Sequence, residues 1–185
     1  MTPQQRSSIR TVARSALDVG VADLRRAPGS RHAIRLEVTA GDLDRDRIAN
    51  ADVEVLPTES IVIELTLDSS PGHIDATGTL ATAWVGHCRR CLNEVGGTLD
   101  VDIDERFAVR PELHPDHDAF PIVDDHIDLA PMVAEALLIS LPMLPLCRED
   151  CPGPDPEAHP IVVADTLEVP SDPRWAALDE LRGGS

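Results

Sequence analysis

Four cysteines stand in two short pairs, Cys88-Arg89-Arg90-Cys91 and Cys147-Arg148-Glu149-Asp150-Cys151, and the chain uses cysteine nowhere else. A C-x-x-C turn aims two thiolates at one ion, and a second pair can complete a tetrahedral zinc site. The first pair has zinc-knuckle spacing and the second is one residue longer, within what structural sites tolerate. The pairs are too far apart for a small zinc finger, so they can meet only through tertiary folding. Two local disulfides compete with this reading. However, the chain shows no apolar N-terminal signal region, and disulfides seldom persist in a reducing cytosol. A redox C-x-x-C normally opens a helix, whose dipole lowers the thiol pKa. Here Gly96-Gly97 follow within a few residues and would end any helix. No histidine or carboxylate pattern beside the cysteines suggests a catalytic metal with an open position, so the expected cofactor is a structural zinc.

Two further groups invite a chemical reading. His114, His117 and His126 fall in or near the proline-containing stretch Arg110 to Asp118, but their spacing is irregular, and a solvated acidic loop is the simpler expectation. Arg89 and Arg90, with Arg25, Arg26 and Arg31, can form a small basic spot that meets phosphate. Against it, carboxylates are abundant enough to pair with every one of them. The net charge is −17, which opposes broad contact with a nucleic-acid backbone, because such contact rests on Lys and Arg displacing counterions. Two Phe, two Trp and no Tyr leave little for a base-stacking platform. A strongly acidic protein is better suited to a basic protein partner. No stretch is long and apolar enough to span a bilayer: the longest apolar region, Ile127 to Leu146, is interrupted by Asp128, Pro131, Glu135, Pro142 and Pro145. A cytoplasmic protein without a membrane partner is expected.

The elements that must position the cysteines are mainly strands. Ile61, Ile63, Leu65 and Leu67 alternate with Val62, Glu64, Thr66 and Asp68, placing one face on a core. Ser69-Ser70-Pro71-Gly72 is a turn, and His73 to Val85 is the return strand of a hairpin, with Ile74, Leu80 and Trp84 on its apolar face. After the first cysteine pair, Leu99, Val101, Ile103 and Phe107 alternate with Asp100, Asp102, Asp104 and Arg106, predicting a third strand. The first pair therefore lies between two adjacent strands. An earlier strand is predicted over His32 to Val38. Asp128 is a suitable N-cap for a helix with Pro131 in its first turn, and Leu129, Met132, Val133, Ala136, Leu137 and Leu141 fall near helical spacing before Pro142 stops it. Its exit leads extended into Cys147 and can carry the second pair toward the first. Near the C-terminus, Asp172 to Leu181 predicts a short helix with Trp175, Leu178 and Leu181 on one side, expected to dock on its own domain.

These residues resemble, in order, the bacterial YceD family in its actinobacterial form. The signature runs through Pro28-Gly29-Ser30, Cys88-Arg89-Arg90-Cys91-Leu92, Ile127-Asp128-Leu129, Leu141-Pro142, Pro145-Leu146-Cys147, Asp150-Cys151-Pro152-Gly153 and Asp172-Pro173-Arg174-Trp175-Ala176-Ala177-Leu178. The resemblance spans roughly Leu17 to Leu181. It implies a non-enzymatic role in accumulation of 23S ribosomal RNA and biogenesis of the large ribosomal subunit, with a metal-binding cysteine set. It also implies a large-subunit precursor as partner; the acidic strand residues Asp100, Asp102 and Asp104 suggest a basic ribosomal protein or factor as a contact, and direct contact with the rRNA stays open beside it. Many relatives continue into Gly-Leu-Cys-Pro-x-Cys-Gly. This chain has Gly153-Pro154-Asp155-Pro156-Glu157-Ala158-His159 instead, so either the site uses the four remaining cysteines, with Asp155 or His159 as candidate helpers, or metal binding is weakened in this chain. A zinc-stapled acidic adaptor for a basic non-ribosomal protein is the competing reading. An enzyme is disfavoured by the absence of a Gly-rich phosphate loop, a nucleophile elbow and a His-Glu metal motif.

The expected fold is α+β: an antiparallel, barrel-like sheet with a helix near 128–141 packed on it and a short C-terminal helix. The expected organisation is a flexible segment 1–15, one YceD-like domain over 16–151, and an extended segment over 152–185 that carries the short helix.

Overall fold

The computed structural model describes residues 15–43, 45–113, 119–158 and 160. Nine strands, one short helix and one longer helix are found among them. In chain order they are β1 (Asp18–Gly20), α1 (Ala22–Arg26), β2 (Arg31–Thr39), β3 (Ile48–Ala49), β4 (Val53–Val55), β5 (Ser60–Ser70), β6 (His73–His87), β7 (Glu94–Ala108), β8 (Ala119–Val123), β9 (His126–Asp128) and α2 (Ala130–Ser140). The architecture is α+β, a curled half-barrel of mostly antiparallel strands, as expected.

The frame is the meander β2–β5–β6–β7. Arg31 to Thr39 pair with Asp68 to Ser60, Val62 to Ser70 pair with Ala81 to His73, and all of β6 pairs with all of β7 from His73↔Ala108 to His87↔Glu94. The alternation predicted for β5 holds: Ile61, Ile63, Leu65 and Leu67 are buried, while their neighbours face outward to varying degrees. At Gly78 the backbone has φ +154°, and a Cβ there would meet the Glu64 carbonyl oxygen at 2.0 Å. Only glycine lets β5 approach so closely. The β3–β4 hairpin attaches to the far end of β6 through Val53↔Gly86.

Two details differ from the antiparallel expectation and its boundaries. β7 begins at Glu94, running through Gly96-Gly97 instead of starting after them. The Trp84 ring covers Gly97, 3.1 Å from where a Cβ would stand, so the missing side chains make room for the cross-strand indole. In addition, β8 joins β7 in parallel at Arg106↔Ala119. β8 and β9 form a tight hairpin whose turn, Asp124-Asp125, takes positive φ at both residues.

The helix starts slightly later than predicted. Leu129 is its N-cap, and the Asp128 carboxylate accepts from the Ala130 N–H at 2.9 Å, one residue outside the expected position. Met132, Val133 and Leu137 are buried against the sheet, Leu141 ends the helix with an extended ψ of 134°, and Pro142 follows. The Leu129 N–H also donates to the Leu17 carbonyl at 3.0 Å, tying the helix entry to β1. The side chains of Leu17, Ile74, Phe107, Ile127, Leu129 and Leu137 are all fully buried in one core. No described helix is long and apolar enough to cross a membrane. The predicted C-terminal helix over 172–181 lies outside the described residues.

Candidate metal centre

The first cysteine pair sits where β6 turns into β7. The pairing His87↔Glu94 brings the strand ends together, and the six residues between them must reverse direction. Within that turn the Cys88 N–H donates to the Asn93 carbonyl at 2.8 Å and the Leu92 N–H to the Cys88 carbonyl at 2.9 Å. Leu92 takes φ 63°, the left-handed conformation that closes the loop and that a leucine adopts rarely. Backbone N–H groups of Cys91, Cys147 and Arg90 point at the Cys88 sulfur.

The second pair is delivered by the exit of α2. Pro142 prevents another helical turn, and the chain runs extended to Cys147. Backbone hydrogen bonds and side chains fasten that run to the first turn. Asn50 Nδ2 donates to the Pro142 carbonyl at 3.0 Å, and the Arg89 N–H donates to the Pro145 carbonyl at 3.0 Å. The Arg90 guanidinium donates to the carbonyls of Glu149 at 2.9 Å and Cys151 at 3.1 Å. The loop closes on itself through the Cys151 N–H and the Arg148 carbonyl, 3.1 Å apart.

The four sulfurs therefore converge. Cys88 and Cys151 lie 3.7 Å apart, as do Cys91 and Cys147, and all four sulfurs fall within 4.8 Å of one another. A disulfide requires about 2.05 Å, so the thiols are free. A tetrahedron with metal–sulfur bonds of about 2.3 Å has edges of about 3.8 Å, and the observed sulfur pairs fit it. Cys88 and Cys151 are buried, Cys91 is half-buried and Cys147 is exposed. The electrostatics also suit a cation. The backbone N–H of Cys91, helped by those of Cys147 and Arg90, pulls the Cys88 thiol down to about 6 against the opposing effect of burial. The Cys151 sulfur, with burial and the sulfurs of Cys91 and Cys88, pushes Cys147 up to about 12. Cys91 is also raised: burial and the sulfurs of Cys88 and Cys151 outweigh the Asn93 backbone bond that lowers it. One thiolate is prepared, and crowding opposes further negative charge until a cation supplies the compensation.

The remaining sequence candidates fall elsewhere. Arg89 pairs with Asp52 at 2.9 Å, and Arg90 is committed to the two carbonyls above. Arg25, Arg26 and Arg31 pair with Asp125, Asp23 and Asp68. All five arginines weighed as a phosphate spot thus hold intramolecular partners. The Asp155 carboxylate caps a local turn by accepting from the Ala158 N–H at 3.0 Å, and His159 lies outside the described residues. His126 stands on β9 with Nδ1 2.8 Å from the Asp124 carbonyl, while His114 and His117 lie outside the described residues. Among the described residues the four cysteines alone form a metal-ligating cluster.

Sequence reading missed Asn50 and Asp52. Asn50 Oδ1 accepts from the N–H groups of Asp52 and Val53, and its amide then reaches Pro142, while the Asp52 carbonyl accepts from the His87 N–H at 3.1 Å. The Asn-x-Asp spacing signals a local turn, but nothing in it points to residues so distant in sequence.

The profile of one family, described as large ribosomal RNA subunit accumulation protein YceD, matches residues 76–182. An uncharacterized protein of Mycobacterium tuberculosis strain H37Rv is 30% identical over 178 residues, covering 91% of this chain and 83% of that protein. An uncharacterized protein of Mycobacterium leprae is 29% identical over 170 residues, covering 87% and 75%. No solved structure matches the chain. The family span takes in the β6–β7 turn, α2 and both cysteine pairs, and by that match the chain belongs to the YceD family.

Proposed function

We propose that this protein is a non-enzymatic cytoplasmic factor in large-subunit biogenesis that supports accumulation or processing of 23S ribosomal RNA. The observation that carries the reading is the family match over residues 76–182, which includes all four cysteines. Cys88, Cys91, Cys147 and Cys151 hold a structural zinc. The ion cross-links the β6–β7 turn to the segment after α2, and four thiolates leave no open position for water or substrate. Iron in a four-thiolate site is the other metal this donor set accepts, and elemental analysis of purified protein separates the two.

The partner we propose is a basic ribosomal protein on the large-subunit precursor. Supporting it, Asp100, Asp102 and Asp104 stand exposed along the outer face of β7, and none of them joins an ion pair among the described residues. Such a row favours encounter with a basic surface and loses that advantage with salt. With the arginines of the cysteine turn already paired, contact through a protein suits the site better than direct contact with RNA.

The test is a sucrose-gradient profile of cells depleted of the protein, with each fraction probed for 23S precursors. Large-subunit intermediates with scarce or unprocessed 23S RNA are expected. A normal profile with mature 23S RNA would sink the ribosomal reading and favour an adaptor for a basic non-ribosomal protein.

A further inference from the structure

β7 is paired along its whole length on one side only. Each of its residues has a partner on β6, from His73↔Ala108 to His87↔Glu94, whereas β8 covers the opposite edge only at Arg106, Phe107 and Ala108. Over residues 94–104 that second edge has no strand beside it among the described residues, and no other backbone hydrogen bond among them reaches it. In an antiparallel strand every second residue turns its N–H and C=O away from the neighbour, so the edge presents a row of open donors and acceptors. The exposures agree. Leu99, Val101 and Ile103 on the inner face of β7 are 8%, 9% and 4% exposed, against 0% for Ile63 on β5 and Leu80 on β6.

Proteins close such edges with proline, lysine, a bulge or a very short strand. Residues 94–104 contain neither proline nor lysine, and the register to β6 runs without a bulge from end to end. The one safeguard is charge, and it is selective. Asp100, Asp102 and Asp104 stand exposed on one face of β7, while Leu99, Val101 and Ile103 take the other. Antiparallel pairing of two copies centred on Asp102 would set Asp100 directly opposite Asp104, and like charges so placed repel. A strand with Lys or Arg at alternate positions meets the reverse situation. Its cations stand beside the aspartates, and apolar side chains between them extend the inner layer of the half-barrel.

We propose that the open edge of β7 over residues 94–104 takes up an extended segment of a basic protein as an added strand, one in which Lys or Arg alternates with apolar residues. Backbone hydrogen bonds supply affinity, and the alternation of the added strand against Asp100, Asp102 and Asp104 supplies specificity. The inference rests on the basic-partner reading above and adds how that partner is held. It requires neither a metal at the cysteines nor a ribosomal origin for the partner.

The test uses the full-length protein and a capped peptide of about nine residues, a common strand length, in which Lys alternates with Val. On binding, amide hydrogen exchange read by NMR is expected to slow at least about tenfold at alternate residues of 94–104. The Asp100→Asn/Asp102→Asn/Asp104→Asn protein, changed only at exposed positions, is expected to bind the peptide roughly tenfold more weakly. A peptide of the same composition with its lysines in one block is expected to lose at least about tenfold in affinity, because it cannot match the two faces. Equal binding of the two peptides, or binding that leaves the edge amides unmoved, overturns strand addition and leaves the basic-partner reading standing. Binding of neither peptide overturns both. Slow exchange at these amides in the free protein also overturns the proposal: it assigns the edge to a second copy if it fades on dilution, and to the chain itself if it does not.

Discussion

The two ends of the β6–β7 hairpin are held together by different means. At one end Ile74 and Phe107 face each other fully buried, and the Phe107 ring lies 5.5 Å from that of Phe120. At the other end, Gly86, Gly96 and Gly97 replace large side chains, Trp84 is only partly buried, and the contacts are backbone hydrogen bonds and sulfur. The first end is stabilised by area removed from water. The second has little apolar area of its own and depends on cross-links between segments distant in sequence. The four sulfurs are therefore placed where the hydrophobic core runs out.

The strongest test of that contrast is Phe107→Ala. Removing a buried aromatic costs about 3–5 kcal/mol, and a melting temperature lower by roughly 10 °C is expected in calorimetry. Metal per folded molecule should stay unchanged. If metal is lost as well, the two ends are not independent.

Cys88→Ser should act in the opposite way. Metal content falls to near zero, and hydrogen-exchange protection is lost around the β6–β7 turn and residues 142–151, while β5 and the adjoining half of β6 keep theirs. A cross-link closing a loop of this size restrains the unfolded chain by about 4 kcal/mol in the chain-entropy model, so global stability also drops. Melting of the whole sheet at once would erase the distinction between the ends.

Protons give a sharper reading of the corner. In the metal-free protein the Cys88 thiol is lowered from 9.0 to about 6 and Cys147 is raised from 9.0 to about 12. Cys88 therefore contributes stability that is present above about 9 and is lost as pH falls through about 6. Cys147 contributes below about 9, and its share is lost as pH rises through about 12. Cys88 is thus the more readily ionised thiol, whereas Cys91 and Cys147 hold their protons more tightly, so metal binding to thiolates releases protons. Calorimetry in buffers of different ionisation enthalpy measures that release, and affinity should fall steadily on acidification. Binding without proton release would contradict the arrangement of thiols described above.

The smallest effect belongs to Asp52→Asn. Its pair with Arg89 is half-exposed, and such pairs contribute under about 1 kcal/mol. A shift of the melting temperature within a few degrees and unchanged metal content are expected. A larger loss would show that the corner leans on its ion pair more than on its sulfurs.

The frame was legible in the sequence because strand alternation is a local signal. Ile61 to Leu67 and Leu99 to Phe107 announce their own inward faces, and Pro142 announces the end of α2. The convergence of the cysteines was legible as a possibility from residue type alone. The fastening was not. Short strands such as β3, β4 and β9 carry too few residues to show a period, and α1 is only one turn or so long. Asn50 reaching Pro142, or Arg90 reaching Cys151, depends on which chain segments curl past one another. Gly96-Gly97 misled for a related reason: in isolation they read as a break, and only the indole across the strand explains them.

The separation of the ligands in sequence also sets an order of events during synthesis. Cys88 precedes its neighbour Cys151 by 63 positions. At 5–20 residues per second that interval is roughly 3–13 s, far longer than the microseconds a hairpin needs to close. The β6–β7 hairpin can form long before its four-sulfur clasp can. Until Cys151 emerges, the nascent chain carries an open half-site with a readily ionised thiol, and any metal or oxidant it meets then meets it unguarded. The four-sulfur set is thus complete only after the whole of β7, β8, β9 and α2 has been made.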